Sequence, residues 1–334
     1  MSTRRHFIES SAALGGLALS SPQVARAQTQ PANVRVIMFG VASNLPVWAG
    51  INKGFFLKQN LNVTAEITPS SQYMFEHLSA GDFDIAVTAM DNVVAYDEGQ
   101  GAVALPNSDF VAFMGGDSGM LALYSRPEIR TYSDLKGETL AVDAISTGYS
   151  FVLRRMLEFA GLGPNDYKLD AAGGTPKRYE ALLAGRYAAT LLTAPFDLQA
   201  EANSCHRIGT ATDIVGHYQA YTGVARKAWI ERNSDILVRY IRGYLASLRW
   251  LYDARNKRET LELLTIETKA PAELAPQVYA EIMNREGGIV PNGGIDMAGV
   301  RTVLALRSQY GVPQKRLADP NKYIDERYYH QARR

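Results

Sequence analysis

The strongest constraint on the fold of this 334-residue chain is a motif that occurs twice. Leu78-Ser79-Ala80-Gly81-Asp82-Phe83-Asp84-Ile85 and Leu183-Ala184-Gly185-Arg186-Tyr187-Ala188-Ala189 both pass from a helix end, through glycine and an aromatic residue, into an apolar strand. Around the first copy, strands are predicted over 34–39, 63–67 and 84–88. Helices open between them at Asn44, with Pro46 in the first turn, and at Ser70 or Ser71, with Met74, Phe75 and Leu78 on one face. Asp91 is placed to cap the next helix. Around the second copy, strands are predicted over 138–142, 167–171 and 189–192, with helices opening at Ser146-Thr147-Gly148 and Lys177. This alternation makes βαβ units and largely parallel sheets. Two copies mean two related halves, not a repeat array. Beyond them, residues 236–252 carry Tyr240, Ile241, Tyr244, Leu245, Leu248 and Leu251 as one apolar stripe, which reads as core packing. Further helices fit 260–268, 272–284 and 296–310.

The amino terminus points to export. Arg4-Arg5-His6-Phe7, the short apolar run from Ala12 to Leu19 and Ala25-Arg26-Ala27 are the parts of a cleavable signal over 1–27 with a twin-arginine flavour. The run is about half of the ~20 apolar residues that span a bilayer. Glu9 leaves the twin-arginine and general routes both open. The 35 basic and 34 acidic residues are mixed along the chain, so no field points to nucleic acid or a membrane surface. Cys205 is the only cysteine, which excludes an intramolecular disulfide, a thiolate cluster and a lipid anchor at the cleavage site; it reads as a small core residue. The five histidines are scattered, and no His-x-x-x-His, Gly-x-Ser-x-Gly or P-loop occurs. No catalytic residue, metal or cofactor is therefore expected.

Several segments together resemble one family. They are Leu45-Pro46 through Ala49, Lys53-Gly54-Phe55-Phe56, Ala80-Gly81-Asp82-Phe83-Asp84-Ile85-Ala86, Ser133-Asp134-Leu135-Lys136-Gly137, Ala181-Leu182-Leu183-Ala184-Gly185 and the tail from Tyr323 to Tyr329. In order and spacing they are similar to the nitrate/sulfonate/taurine-type solute-binding proteins of ABC importers, which include thiamine-pyrimidine-binding relatives. Asn60 stands where that family usually has glycine, and Ala188 where it usually has aspartate. The resemblance implies an α/β protein with the type II periplasmic-binding-protein fold: two lobes, a ligand cleft and two crossing strands. Lobe one is expected over 31–125 plus 222–334 and lobe two over 126–221, with crossings near 125–131 and 221–224.

In open α/β sheets ligands sit beyond the carboxyl ends of the strands. That rule selects Ser43, Asn44, Ser70, Ser71, Met90, Asp91 and Asn92 in the first half, with Gly115-Gly116-Asp117 as a weaker loop. In the second half it selects Ser146, Thr147, Gly148, Tyr149, Gly174 and Thr193. The helix start at Ser146-Thr147-Gly148 offers free N–H groups and a positive dipole end to a carboxylate or sulfonate. The same hydroxyls also suit capping of their own helices, and Asp91 suits either a cap or a ligand amine. Trp48 is read as a stacking plate or as core, and Met90 as packing. Tyr218 is a second aromatic candidate beside Tyr149. Lys177 and Arg178 read as a solvated pair opening a helix, with counter-ions to a ligand anion as the other reading.

These readings converge on a soluble, monomeric periplasmic substrate-binding component that captures a small organic, anionic ligand by hinge closure. Its partners would be the ligand and the permease and ATPase subunits of an inner-membrane ABC importer, with no nucleic acid. A periplasmic sensor module is the alternative, and an enzyme of the pyrimidine-synthase type a third reading that the single cysteine disfavours.

Overall fold

Strand formation begins where the sequence is apolar on both faces. The computed structural model describes residues 30–105 and 108–334, and the export signal expected over 1–27 lies outside them. In the first half β1 (Ala32–Met38), β2 (Leu61–Ile67), β3 (Ile85–Ala89) and β4 (Phe110–Gly115) alternate with α1 (Leu45–Asn52), α2 (Ser71–Ala80) and α3 (Met90–Asp97). In the second, β5 (Ala122–Ser125), β6 (Thr139–Val142), β7 (Lys168–Ala171), β8 (Ala189–Leu192) and β9 (His206–Thr210) accompany α4 (Gly148–Phe159), α5 (Thr175–Leu183), α6 (Phe196–Ala202) and α7 (Ala211–Val215). The chain then returns through β10 (Tyr221–Arg226) and continues as α8 (Lys227–Arg232), α9 (Ser234–Leu251), α10 (Lys257–Thr268), α11 (Ala275–Ile282), α12 (Met297–Tyr310) and α13 (Arg327–Arg333).

The two five-stranded sheets have the orders β2-β1-β3-β10-β4 and β7-β6-β8-β5-β9. They are the same pattern. Strands joined by a βαβ crossover run parallel, with Val36 of β1 facing Ala65 of β2 and Ile85 of β3. In each sheet one strand, β10 or β5, runs antiparallel to both its neighbours. The repeated motif is the turn between α2 and β3 in the first half and between α5 and β8 in the second. There Gly81 (φ 88°) and Gly185 (φ 70°) take the left-handed conformation that stops the helix. Asn60, φ 54°, takes it where the family's glycine would stand.

Both crossings come earlier than the sequence reading put them. β5 already belongs to the second sheet, so the first change of sheet falls between Gly115 and Ala122 and not at 125–131. The second falls between Thr210 and Tyr221, ahead of β10 and not within 221–224. The reason is pairing: β5 is held by β8 and β9, far along the chain, and local periodicity carries no trace of that.

Residues of β3 are buried throughout, as expected of a central strand covered on both faces. The stripe on α9 is core: Tyr240, Ile241, Tyr244, Leu245, Leu248 and Leu251 are all buried, with the helix against α1 and α13. Phe56 stacks on Tyr240 at 5.0 Å between centroids. Its ring fills the space beside Gly50 and Gly243, where a Cβ at either position would overlap it. Cys205 is buried with Tyr124, Leu182, Leu192 and Ala200. α12 packs on α3 and on α4, and so ties the two halves together. No helix among the described residues is long and apolar enough to cross a membrane.

Candidate functional site

The carboxyl ends of the two sheets face one small cavity of about 30 Å³. Phe39, Ala89, Asp91 and Asn92 line it from the first half, Asp143, Thr147, Gly148, Tyr149, Thr175 and Arg178 from the second, and Tyr221 from the start of β10. Contacts between the halves close it: Ala42 N donates to Ala194 O at 2.9 Å and Gly174 N to Pro69 O at 3.1 Å.

Arg178 dominates the wall. It lies on the same buried face of α5 as Ala181 and Leu182 and is only 3% exposed. This corrects the expectation of a solvated pair with Lys177. The i, i+3, i+4 spacing with two apolar residues was the signal that would have found it. Its Nε donates to Thr190 Oγ1 (3.1 Å), Nη1 to Gly173 O (3.2 Å) and Nη2 to Thr175 Oγ1 (3.2 Å) and Leu191 O (3.1 Å). Every one of these acceptors is uncharged. Burial lowers the pKa of Arg178, with the charge of Asp143 acting against that shift. A guanidinium does not lose its proton in proteins, so a positive charge sits in the wall without an anionic partner among the described residues.

Asp143, missed by the sequence reading, is the first polar residue past β6, where the strand-end rule itself points. Its Oδ2 accepts from Ser71 N at 3.2 Å and from Ser71 Oγ in a short contact across the two halves. Its Oδ1 is buried and has no partner.

Asp91 lines the cavity but is neither cap nor free ligand group. Ala89 occupies the N-cap of α3. Asp91 Oδ1 and Oδ2 accept from Arg307 Nε and Nη2, both at 2.6 Å, in a fully buried pair. Arg307 Nη2 also donates to Ser146 O at 2.6 Å, and its guanidinium lies 4.9 Å from the Phe151 ring centroid. A Cβ on Gly148 would overlap the Asp91 carboxylate, which explains glycine at the start of α4.

The other candidates divide. Asn92 and Thr147 line the cavity, with Asn92 Nδ2 donating to Thr88 Oγ1 at 2.9 Å and Thr147 Oγ1 to Ala144 O at 2.9 Å. Thr147 holds the N-cap position of α4 without a side-chain cap bond. Tyr149 lines it as well, 6.1 Å from the ring of Tyr218, whose buried hydroxyl lacks a partner. Burial holds the hydroxyls of Tyr149 and Tyr221 well above the usual range, so both are neutral hydrogen-bonding groups. Ser43, Asn44, Trp48, Ser70, Ser71, Met90, Ser146, Gly174 and Thr193 lie outside the lining. Ser43 hydrogen-bonds Asp117, whose pKa burial raises. Asn44 precedes α1 but makes no cap bond; its Nδ2 donates to Phe39 O at 2.6 Å. Trp48 and Met90 are core. Ser70 caps α2 by accepting from Tyr73 N at 3.2 Å.

The NMT1/THI5 like family model matches residues 42–256. The chain belongs to that family. Three solved structures extend the NMT1/THI5-like assignment to the fold. The periplasmic nitrate-binding protein NrtA from Synechocystis PCC 6803 is 12% identical at TM-score 0.75, covering 90% of this chain and 88% of its own. The alkanesulfonate-binding protein SsuA from Xanthomonas axonopodis pv. citri, bound to MOPS, is 14% identical at TM-score 0.70, covering 89% and 99%. A Candida albicans protein with the generic periplasmic binding protein fold is 12% identical at TM-score 0.68, covering 88% and 96%. By sequence no curated protein matches. The fold of this NMT1/THI5-like chain is thus the periplasmic-binding one, two α/β sheets facing a common cleft.

Proposed function

We propose that this protein is the periplasmic substrate-binding component of an ABC importer, and that it captures a small organic ligand with an anionic group by hinge closure. The observation that carries the reading is Arg178: a buried, unpaired guanidinium in the wall of a cavity whose lining comes from both halves. A buried charge is costly unless it meets its counter-charge. A carboxylate or sulfonate oxygen supplies it, with the N–H groups opening α4 as additional donors. The halves act as lobes, one built on each sheet, so that ligand bound to both walls favours the closed form that a permease with its ATPase would recognise. The twin-arginine-like amino terminus and the binding proteins NrtA and SsuA among the structural neighbours support export and transport. The residues assigned to the ligand are Arg178, Asp143, Thr147, Gly148, Tyr149, Asn92 and Tyr221, and the protein acts as a monomer.

A thermal-shift screen of the purified protein against nitrate, sulfonates, aromatic carboxylates and pyrimidines tests this. Expected is a saturable stabilisation of about 2.7 kcal/mol at a hundredfold excess over Kd, with the compound recovered unchanged and the shift lost in Arg178→Gln. Recovery of a transformed compound, or no shift in a broad library, would overturn it.

A further inference from the structure

The charges around the cavity restrict the ligand further, on the reading that the cavity is a solute site. Besides Arg178 two carboxylates line it, and one of them is cancelled from behind the wall: Asp91 is neutralised by Arg307 through two contacts of 2.6 Å, both side chains being buried. Arg178 and Asp143 remain. They form no ion pair with each other, although the charge of Asp143 favours the charged form of Arg178. Four acceptors engage the five N–H groups of Arg178, which leaves one on Nη1. Asp143 has used only one oxygen: Oδ2 takes both donors of Ser71, while Oδ1 is buried with nothing opposite it. The site therefore presents one unmatched positive and one unmatched negative group, with no net charge between them. A purely anionic ligand that met Arg178 would leave Asp143 unmet and repel it. A purely cationic one would do the reverse.

We infer that the ligand is a small zwitterion: a carboxylate or sulfonate meets Arg178, an ammonium or a protonated ring nitrogen meets Asp143 Oδ1, and the body joining them lies against Phe39, Tyr149 and Tyr221. Buried polar groups are satisfied in native complexes, and this charge pattern meets both groups with charge-assisted hydrogen bonds, the strongest that they can make. Asp143 then has two tasks. Its Oδ2 joins the halves through Ser71 while its Oδ1 holds the ligand, so ligand binding orders the same side chain that spans the cleft.

Two matched sets of probes test the assignment by calorimetry: 3-aminopropanesulfonate, propanesulfonate and propylamine, and 4-(aminomethyl)benzoate, 4-methylbenzoate and 4-methylbenzylamine. In at least one set the zwitterion is expected to bind about tenfold or more tighter than either singly charged mate. Asp143→Asn, which keeps the size of the side chain, should abolish that advantage over the anion. Asp143→Ser serves as a second variant should Asn disturb the Ser71 contact, and circular dichroism confirms folding of each. A singly charged mate that binds as tightly as its zwitterion overturns the inference. So does a net anion, such as nitrate, that binds when no zwitterion does, in which case the solute-site reading survives. Binding of nothing in these sets or in the wider screen brings down both.

Discussion

Asp91 and Arg307 stand 216 residues apart and meet in one buried, bidentate pair that also reaches Ser146 in the opposite half. Removing one member leaves the other charge buried without a counter-charge. Asp91→Asn is accordingly expected to lower stability by about 3–5 kcal/mol, read as a shift in the urea midpoint. Arg258 and Glu262, an exposed pair at 3.0 Å, supply the control, since breaking it should cost about 1 kcal/mol or less. Equal losses at the two sites would mean that Arg307 is not a brace between the halves. The pair was illegible in the sequence. Asp91 has the position of a helix cap, and nothing in the pattern of α12 marks Arg307 as its partner. Arg178 differs, because its place on the buried face of α5 is a matter of spacing and was there to be read.

At the scale of elements, α6 and α11 bring Asp197 and Glu281 together, and their carboxyls hydrogen-bond. Burial first, and the neighbouring Asp197 second, push the pKa of Glu281 from 4.5 up to about 8. Arg207 faces the pair and opposes the shift, but Glu201, which also faces it, engages Arg207 at 2.9 Å. The folded protein thus keeps a proton on Glu281 that the unfolded chain gives up. This contribution to stability is full below pH 4.5 and is lost as pH rises towards about 8. Melting temperature should fall across that window in the wild type and fall less in Glu281→Gln; parallel profiles would place the proton elsewhere. Elements themselves were mostly legible. β8 (Ala189–Leu192) and α12 (Met297–Tyr310) sit where periodicity and breakers predict them, because a residue's own neighbours decide both. β5 was not assigned as a strand, since four residues between a glycine-rich stretch and Arg126-Pro127 carry too little pattern and owe their extension to β8 and β9. The cavity was half legible for a like reason. The strand-end rule named Asp91, Asn92, Thr147, Gly148 and Tyr149, which line the cavity, and points as well to Asp143, whereas the places of Phe39 and Tyr221 depend on the approach of the opposite half.

For the whole molecule, the described contacts correspond to a shut cleft, and a chain of this size packed as one body has a radius of gyration of about 20 Å. Small-angle scattering should give a larger value for the ligand-free protein and a contraction to about that figure on saturation. An unchanged radius would rule out hinge closure as the response to ligand. Two of the contacts that shut the cleft, Ala42 N to Ala194 O and Gly174 N to Pro69 O, run from main chain to main chain. Their donors and acceptors belong to the peptide groups, not to the side chains that face the ligand. Substitutions in the cavity wall therefore leave the atoms of these two contacts in place, and Asp143, which also meets Ser71 across the cleft, is the exception. A lineage built on this scaffold can vary the rest of the wall by point substitution while these two main-chain clasps between the halves are inherited unchanged.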